Sequence, residues 1–179
     1  MLGKNNLLLH ICCAGCGAYV SQLLQKDYEV VLFFYNPNIF PESEYELRKK
    51  EVNNLARQFC LKVIIPDYNH NEWLQKIKGL ENKPEKGERC LICYKDRLEK
   101  VAQMASLKGF DSFTSTLTVS PHKLAREILE IGSELAVKYE IEFLAQDFKK
   151  QDGFKKATNL SRELGLYRQD YCGCEFSKN

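Results

Sequence analysis

Apolar and polar positions alternate along the chain in blocks that predict strands separated by helices. Five apolar runs have the length of buried strands: 5–11, 28–35, 61–66, 110–117 and 141–146. Segments with helical character lie between and after them, at 17–26, 44–58, 71–78, 91–107, 120–138 and 152–164. Strands that alternate with helices in this way are typical of an α/β fold with a mostly parallel sheet.

Several polar segments come directly after predicted strands. Ligands of open α/β sheets bind beyond the carboxyl ends of the strands. Residues 12–16, 120–123 and Asp147 follow the first, fourth and fifth strands, so we expect them on one rim of the sheet. Ser120 is expected to cap the helix that follows the fourth strand, with Pro121 in its first turn.

The length of 179 residues suits one domain, and no linker, internal repeat or low-complexity segment divides the chain. We therefore predict a single Rossmann-like domain over residues 1–179, with a sheet of about five strands.

Composition places few limits on function. Hydrophobic residues make up 44% and charged residues 28% of the chain, as in ordinary soluble globular proteins. No apolar run approaches the roughly 20 residues of a membrane span, and the short apolar N-terminal stretch has no signal-peptide cleavage site. We expect a cytoplasmic protein without a membrane partner. The net charge of +2 neither requires nor excludes a nucleic-acid partner.

Cysteine is the unusual component of the chain. Seven of the eight cysteines fall into three groups: Cys12, Cys13 and Cys16; Cys90 and Cys93; Cys172 and Cys174. Cys60 stands alone and is predicted to be a small core residue. Without a secretory signal, grouped cysteines indicate metal binding or redox chemistry rather than structural disulfides.

The number of thiols only partly distinguishes between a zinc site, an iron–sulfur cluster and a redox dithiol. Four thiolates complete a tetrahedral zinc site, so seven exceed one such site. Four could hold an iron–sulfur cluster and leave the others for a second metal or for thiol exchange. A zinc staple that ties a loop and the C-terminal tail to the domain would use the same residues. A thioredoxin-like dithiol enzyme is a third option, but that fold usually carries a single C-x-x-C pair.

Six stretches closely resemble the QueH-type epoxyqueuosine reductases: "LLLHICCAGC", "YNPNIFPESEYELRK", "GLENKPEKGERCLICY", "TSTLTVSPHK", "FLAQDFKKQDGF" and "LYRQDYCGCEFS". The resemblance runs from about Leu7 to Ser177, with each cysteine group in the family's order and flanking context. One departure is Gly15, where the family commonly has proline.

The resemblance implies an oxidoreductase of tRNA modification. Such an enzyme removes the epoxide oxygen of epoxyqueuosine at the tRNA wobble position and gives queuosine, the last step of queuosine biosynthesis. The implied cofactors are a [4Fe–4S] cluster and an adjacent mononuclear iron, without cobalamin. The implied partners are tRNA carrying epoxyqueuosine in its anticodon loop and an unidentified electron donor. The implied fold is similar to the adenine-nucleotide α-hydrolase (HUP) type, with a cysteine-bearing loop and a C-terminal tail that close the metal site.

The resemblance also implies the metal ligands: Cys12, Cys13, Cys16, Cys90, Cys93, Cys172 and Cys174. Which four would hold the cluster stays open. Asp147 is the candidate carboxylate ligand of the second iron and a candidate catalytic group, because it ends a predicted strand and lies in the matching "DFKK". Asp67 and Asp170 are alternatives, and a helix cap or an ion pair is an equal explanation for Asp147.

The candidate substrate contacts are mostly polar or basic: His10, Ser120, Lys123, Lys149, Lys150, Tyr167, Arg168 and Gln169. His122 is the candidate proton donor, and it lies with Lys123 near a predicted helix N-terminus, which suits an anion such as phosphate. Tyr167 or Tyr171 could stack on an unpaired base, although core packing explains a tyrosine equally well. His10 could contact a cluster sulfur or be a satisfied core histidine.

Two rival functions use similar parts. An ATP-dependent tRNA thiolase with an iron–sulfur cluster has a similar fold but needs an S-G-G-x-D-S-type phosphate loop after the first strand. This chain has "HICCAGC" at that point, which disfavours ATP. The rival that is not an enzyme is a zinc-stapled RNA-binding module.

Overall fold

The computed structural model describes residues 4–177, and these contain a five-stranded sheet with helices on both faces. Its strands are β1 (Asn5–His10), β2 (Tyr28–Phe33), β3 (Lys62–Ile64), β4 (Ser112–Ser115) and β5 (Glu142–Phe143). They lie in the order β3-β2-β1-β4-β5, and every neighbouring pair is parallel. The predicted α/β fold is confirmed. The domain boundaries of 1–179 stay a prediction, since residues 1–3 and 178–179 lie outside the described part.

The helices are α1 (Ala14–Leu24), α2 (Glu42–Gln58), α3 (His70–Lys76), α4 (Glu88–Leu107), α5 (Ala125–Tyr139) and α6 (Gly153–Glu163). Short 3₁₀ turns lie at Thr116–Val119 and Glu175–Ser177. Both α1 and α4 begin about one turn earlier than the apolar spacing predicts. As a result Cys16 and Cys90 lie in the first turns of helices, so Cys90 is not on a loop. None of the helices between residues 4 and 177 has the length and apolar character required to cross a membrane.

The central strand β1 is buried on both faces. Leu7 and Leu9 pack in a core with α1, α2 and α6, whereas Leu8 packs in a second core with α4 and α5. All three leucines are 0% exposed, and each contributes about 1.5–3 kcal/mol by leaving water. This two-sided burial explains why β1 is a continuous apolar run instead of an alternating one.

The prediction of a helix starting at Ser120 is wrong, because α5 begins at Ala125. The hydroxyl oxygen of Ser120 accepts a hydrogen bond from the backbone N–H of His122 at 3.2 Å. Its carbonyl oxygen accepts from the N–H of Lys123 at 3.3 Å. These bonds close a turn, so Ser120 caps no helix, and His122 and Lys123 lie in the connection between β4 and α5.

The prediction that Cys60 is a core residue is also wrong. Cys60 is exposed and left-handed, with φ of 53°, just after the end of α2. The N–H of Leu61 donates to the carbonyl of Ala56 at 2.8 Å and that of Cys60 to Arg57 at 3.3 Å. This is the Schellman pattern that ends many helices, and Cys60 occupies the position usually taken by glycine.

Candidate metal and substrate site

A cavity of about 460 Å³ lies beyond the carboxyl ends of β1 and β4. All seven grouped cysteines line it: Cys12, Cys13, Cys16, Cys90, Cys93, Cys172 and Cys174. The predicted meeting of residues 12–16 and 120–123 on one rim is confirmed, because members of both segments line the same cavity.

The first cysteine group is part of the core. Cys12 and Cys13 are 6% and 3% exposed, and they connect β1 to α1. The N–H of Ile11 donates to the carbonyl of Phe33 at 2.9 Å, and that of Gly17 to Cys13 at 3.1 Å. Sheet pairing on one side and helix pairing on the other therefore fix the backbone of this turn.

The second group lies on one face of α4. Cys90 and Cys93 are three residues apart, which places both side chains on the same side of a helix. The N–H of Lys86 donates to the sulfur of Cys90 at 3.3 Å. Cys93 packs with Trp73 and Cys174 in a small apolar cluster, which joins this helix to the tail.

The third group lies on a tail that is held mainly by polar contacts. The buried guanidinium of Arg48 donates to the carbonyl oxygens of Tyr171 and Cys172, each at 3.2 Å. The N–H of Phe40 donates to the carbonyl of Gly173 at 2.8 Å. Gly173 has φ of 104°, and a Cβ there would lie 2.8 Å from the side chain of Ile39. Only glycine fits this bend without strain.

Two further residues bind the tail to its surroundings. Arg89 is 2% exposed and donates to the carbonyls of Glu81 at 2.6 Å and Phe176 at 3.4 Å. It thereby links the loop before α4 to the tail. The ring of His70 lies 2.8 Å from a carboxylate oxygen of Glu175, measured from Nε2. The thiols of the tail are thus positioned by side chains from α2, α3 and α4.

The thiols differ in acidity. Burial raises the pKa of Cys93 to about 11. The hydrogen bond with Cys13 and burial both raise the pKa of Cys12 well above its usual value. In the tail, the hydrogen bond with Cys174 lowers the pKa of Cys172. Because metals bind the thiolate, loading Cys12 or Cys93 would release a proton.

Six other predicted side chains line the cavity with the thiols: Ser120, His122, Lys123, Tyr167, Arg168 and Gln169. Asp170 and Tyr171 also line it. Tyr167 is anchored on α2, since its hydroxyl donates to Glu44 at 3.0 Å and its N–H to Glu51 at 3.1 Å. This segment therefore forms a wall of the cavity.

The structure separates four of the predicted residues from this cavity: His10, Asp147, Lys149 and Lys150. Asp147 accepts a hydrogen bond from the N–H of Lys149 at 3.1 Å, which is the capping geometry of a local turn. Its assignment as an iron ligand stays a prediction. Asp67 also lies off the cavity, so Asp170 is the cavity-lining one of the three candidate aspartates.

His10 lies in the core and not on a surface that tRNA could touch. It is 0% exposed. Its Nε2 donates to the carbonyl of Tyr35 at 3.1 Å, so Nδ1 accepts from the hydroxyl of Ser115 at 2.8 Å. Burial, aided by the charge of Arg97, lowers the pKa of His10 to about 3. The ring is therefore neutral, and this geometry corresponds to a satisfied core histidine.

Several residues that line the cavity could not be predicted from the pattern of apolar positions along the sequence. Five residues of the cavity wall each have a buried polar side-chain atom without a hydrogen-bond partner: Asn38, Trp73, Arg89, Thr116 and Ser161. Buried unpaired polar atoms are costly, so a group bound in the cavity could stabilise the protein by supplying partners for these five. Arg97 also lines the cavity. Its position four residues after Cys93 on a helix is the one signal that could have found it.

The donor set fits a thiolate-bound metal centre. Across residues 4–177, no three Cys, His, Asp or Glu side chains form a complete metal-binding group. Nevertheless, all eight cysteines are free, and seven of them line one cavity. Zinc and iron–sulfur clusters both bind such thiolates, so geometry alone leaves the metal open.

Comparison with known proteins identifies the family. Residues 7–179 match the family model described as "Epoxyqueuosine reductase QueH". The chain belongs to this QueH family. QueH of Streptococcus pyogenes serotype M1 is 36% identical over 180 residues, which cover 97% of this chain and 71% of that protein. QueH of Thermotoga maritima is 39% identical over 177 residues, with 96% and 89% coverage.

Solved structures support the HUP-type fold. The U34-tRNA thiolase NcsA from Methanococcus maripaludis, solved with its [4Fe–4S] cluster, superposes with a TM-score of 0.61 at 13% identity, covering 99% of this chain and 63% of that one. A predicted subunit of tRNA methyltransferase from Methanocaldococcus jannaschii gives a TM-score of 0.56 at 15% identity, covering 88% and 75%. At these identities the likeness concerns the fold alone.

Proposed function

We propose that this QueH-family chain reduces epoxyqueuosine in tRNA to queuosine. The observation that carries the proposal is the convergence of seven thiols on one cavity in a chain of the epoxyqueuosine reductase family. Removing the epoxide oxygen consumes two electrons and two protons and gives an alkene and water. The enzyme is an oxidoreductase of tRNA processing, and we expect it in the cytoplasm, where its substrate is.

Four of the seven cysteines would hold a [4Fe–4S] cluster, and the others would contribute to an adjacent mononuclear iron. When bound, these groups supply single electrons and a Lewis acid for the epoxide oxygen. Asp147 or Asp170 is the candidate carboxylate ligand of the second iron. Asp170 has the advantage of lining the cavity. Cobalamin is not part of this proposal.

The remaining cavity residues would bind and protonate the substrate. His122 is exposed at the cavity wall, where it could deliver a proton to the leaving oxygen. Lys123 and Arg168 add positive charge for the RNA backbone, with Lys149 and Lys150 farther out. Tyr167 and Gln169 offer a stacking face and an amide for an unpaired base. The electron donor is a separate, unidentified partner.

The first test is chemical. The protein is purified without oxygen, and iron, zinc and acid-labile sulfide are measured, with electron paramagnetic resonance after reduction. Iron and sulfide with a reduced-cluster signal are expected. Stoichiometric zinc without sulfide would favour the zinc-stapled module and remove the redox proposal.

The second test is genetic. tRNA nucleosides are analysed by mass spectrometry in cells that lack this gene and any second epoxyqueuosine reductase. Epoxyqueuosine should accumulate, and the wild-type gene should restore queuosine. Cys90→Ala or Cys172→Ala should not restore it. Cys60→Ala is the matched control, because Cys60 is exposed and lies outside the cavity. Loss of a thiolated nucleoside with normal queuosine would support the thiolase instead.

A further inference from the structure

Arg97 carries a buried positive charge without a carboxylate partner. It lies on α4 and is 3% exposed. Its Nε donates to the carbonyl of Cys93 at 3.2 Å, and its Nη1 to the side-chain oxygen of Asn36 at 3.4 Å. Both acceptors are neutral. No ion pair between residues 4 and 177 includes Arg97.

A guanidinium stays protonated in proteins, so this charge needs a source of negative charge close by. Arg97 lines the cavity, and its surroundings include one cysteine from each of the three groups: Cys12, Cys93 and Cys172. Lys123 is a second cation, and it interacts electrostatically with Cys12 and Cys172.

The other two buried arginines have more partners within the protein, although the Nε of Arg89 has none. Arg48 forms an ion pair with Glu44 at 2.7 Å. Arg89 is surrounded by the backbone carbonyls of the loop before α4. Arg97 therefore differs in that its counter-charge would come from the thiol groups around the cavity once they bind a metal.

We propose that Arg97 is a positioning residue that supplies the permanent counter-charge of a thiolate-bound centre and raises its reduction potential. This inference rests on the proposed function. Each added electron makes such a centre more negative, and a cation in contact with its ligands stabilises the reduced state more than the oxidised state. The same charge is less well compensated in the metal-free protein, because no ion pair of the described residues includes Arg97.

The experiment compares wild-type protein with Arg97→Met and Arg97→Lys, each reconstituted without oxygen with iron and sulfide. The midpoint potential is measured by redox titration followed by electron paramagnetic resonance. Arg97→Met should shift it to a more negative value, and Arg97→Lys, which keeps the charge, should stay near the wild type. In urea, metal-free Arg97→Met should be at least as stable as metal-free wild type, whereas the loaded variant should be less stable than loaded wild type.

Arg48→Met is the matched control for removal of a buried arginine. It leaves Glu44 without its cationic partner and should therefore lose stability in both the metal-free and the loaded form. An unchanged midpoint potential in Arg97→Met with normal iron and sulfide content would overturn the inference. So would equal losses of stability in the two forms, or a metal-free Arg97→Met that does not fold, since these assign Arg97 a structural role only. A higher KM for tRNA without a shift in potential would assign it to substrate binding.

The urea experiment also separates this inference from the proposed function. If the protein takes up only zinc, the redox function fails. The zinc-loaded protein should then still lose stability in Arg97→Met while the metal-free protein does not. If iron and sulfide bind normally but the potential of Arg97→Met is unchanged, the inference about Arg97 fails and the function stands.

Discussion

The cavity has two walls that are built in different ways. The turn of Cys12 and Cys13 continues the central strand β1 and is buried in the core. The tail of Cys172 and Cys174 reaches the same cavity but is held by Arg48, by Arg89 and by a bend at Gly173. One wall is stabilised by apolar burial, and the other by charge-assisted hydrogen bonds to backbone carbonyls.

This difference predicts different modes of failure. Damage to β1 or to the turn that follows it should unfold the sheet, because residues of this segment pack in both cores. Damage to the tail should open the cavity locally while the sheet persists, since regions with few apolar contacts open at lower free energy than the core. Metal binding would then stabilise the tail more than the turn.

The largest expected effect is on β1, the strand that leads into the turn of Cys12 and Cys13. Leu9→Ala removes a side chain that is 0% exposed and should lower the free energy of unfolding by about 2–5 kcal/mol. Urea denaturation of the metal-free protein measures this loss. Trypsin should cut the variant throughout the chain. A loss of stability confined to the tail would contradict the assignment of β1 to the core.

The next effect tests the tail. Arg48→Met removes the partner of Glu44 and of two carbonyls and should cost about 3 kcal/mol. Trypsin should then cut the metal-free protein faster after the exposed Arg168, with little change elsewhere. Equal cleavage at Arg168 in wild type and variant would contradict the tail's dependence on Arg48.

A pH experiment tests β1 again. The pKa of His10 falls from 6.5 to about 3 on folding, so the unfolded chain binds an extra proton between these values. The stability from neutral His10 is complete above pH 6.5 and is lost as the pH falls toward 3. At pH 5 the loss is about 2 kcal/mol. Urea denaturation measures the free energy of unfolding at pH 7 and pH 5. The loss between these pH values should be smaller in His10→Gln than in wild type. An equal loss in both proteins would contradict the assignment to His10.

The smallest effect concerns the bend of the tail. Gly173→Ala places a Cβ at φ of 104° and 2.8 Å from Ile39, which should cost about 1 kcal/mol. Trypsin cleavage after Arg168 should rise modestly, while the urea midpoint of the sheet stays close to the wild type. Gly109→Ala is a matched control, since Gly109 also has positive φ but its added Cβ meets nothing within 4 Å. An equal effect of both variants on the tail would contradict the role of the contact with Ile39.

The same difference explains what could be predicted from the sequence. The apolar run of β1 ends directly at Cys12, so one pattern predicts both the strand and the cysteine turn. Because ligands of such sheets bind beyond the carboxyl ends of the strands, the turn could also be placed beside residues 120–123. The sequence of the tail has no periodic pattern of apolar residues that would predict its structure. Its anchor Arg48 lies in the charged segment "ESEYELRKK", which has the composition of a solvated helix, yet Arg48 is 1% exposed.

The incorrect predictions have local causes. A serine followed by proline is typical of a helix start, but at Ser120 the same hydrogen bonds close a turn. The small, apolar side chain of Cys60 predicts a core position, whereas the end of α2 requires a left-handed residue there. Asp147 is predicted to end the fifth strand on the rim, but β5 ends at Phe143, and the side chain of Asp147 caps a local turn away from the cavity. Such choices depend on neighbours that a one-dimensional pattern does not contain.

The most direct test of the central claim is conversion of substrate by the reconstituted protein. tRNA carrying epoxyqueuosine is incubated without oxygen with iron- and sulfide-loaded protein and dithionite, and nucleosides are counted by mass spectrometry. Queuosine should form in proportion to the sulfide content of the protein, and Cys90→Ala should form none. Conversion by zinc-loaded, sulfide-free protein, or no conversion by fully loaded protein, would contradict the claim.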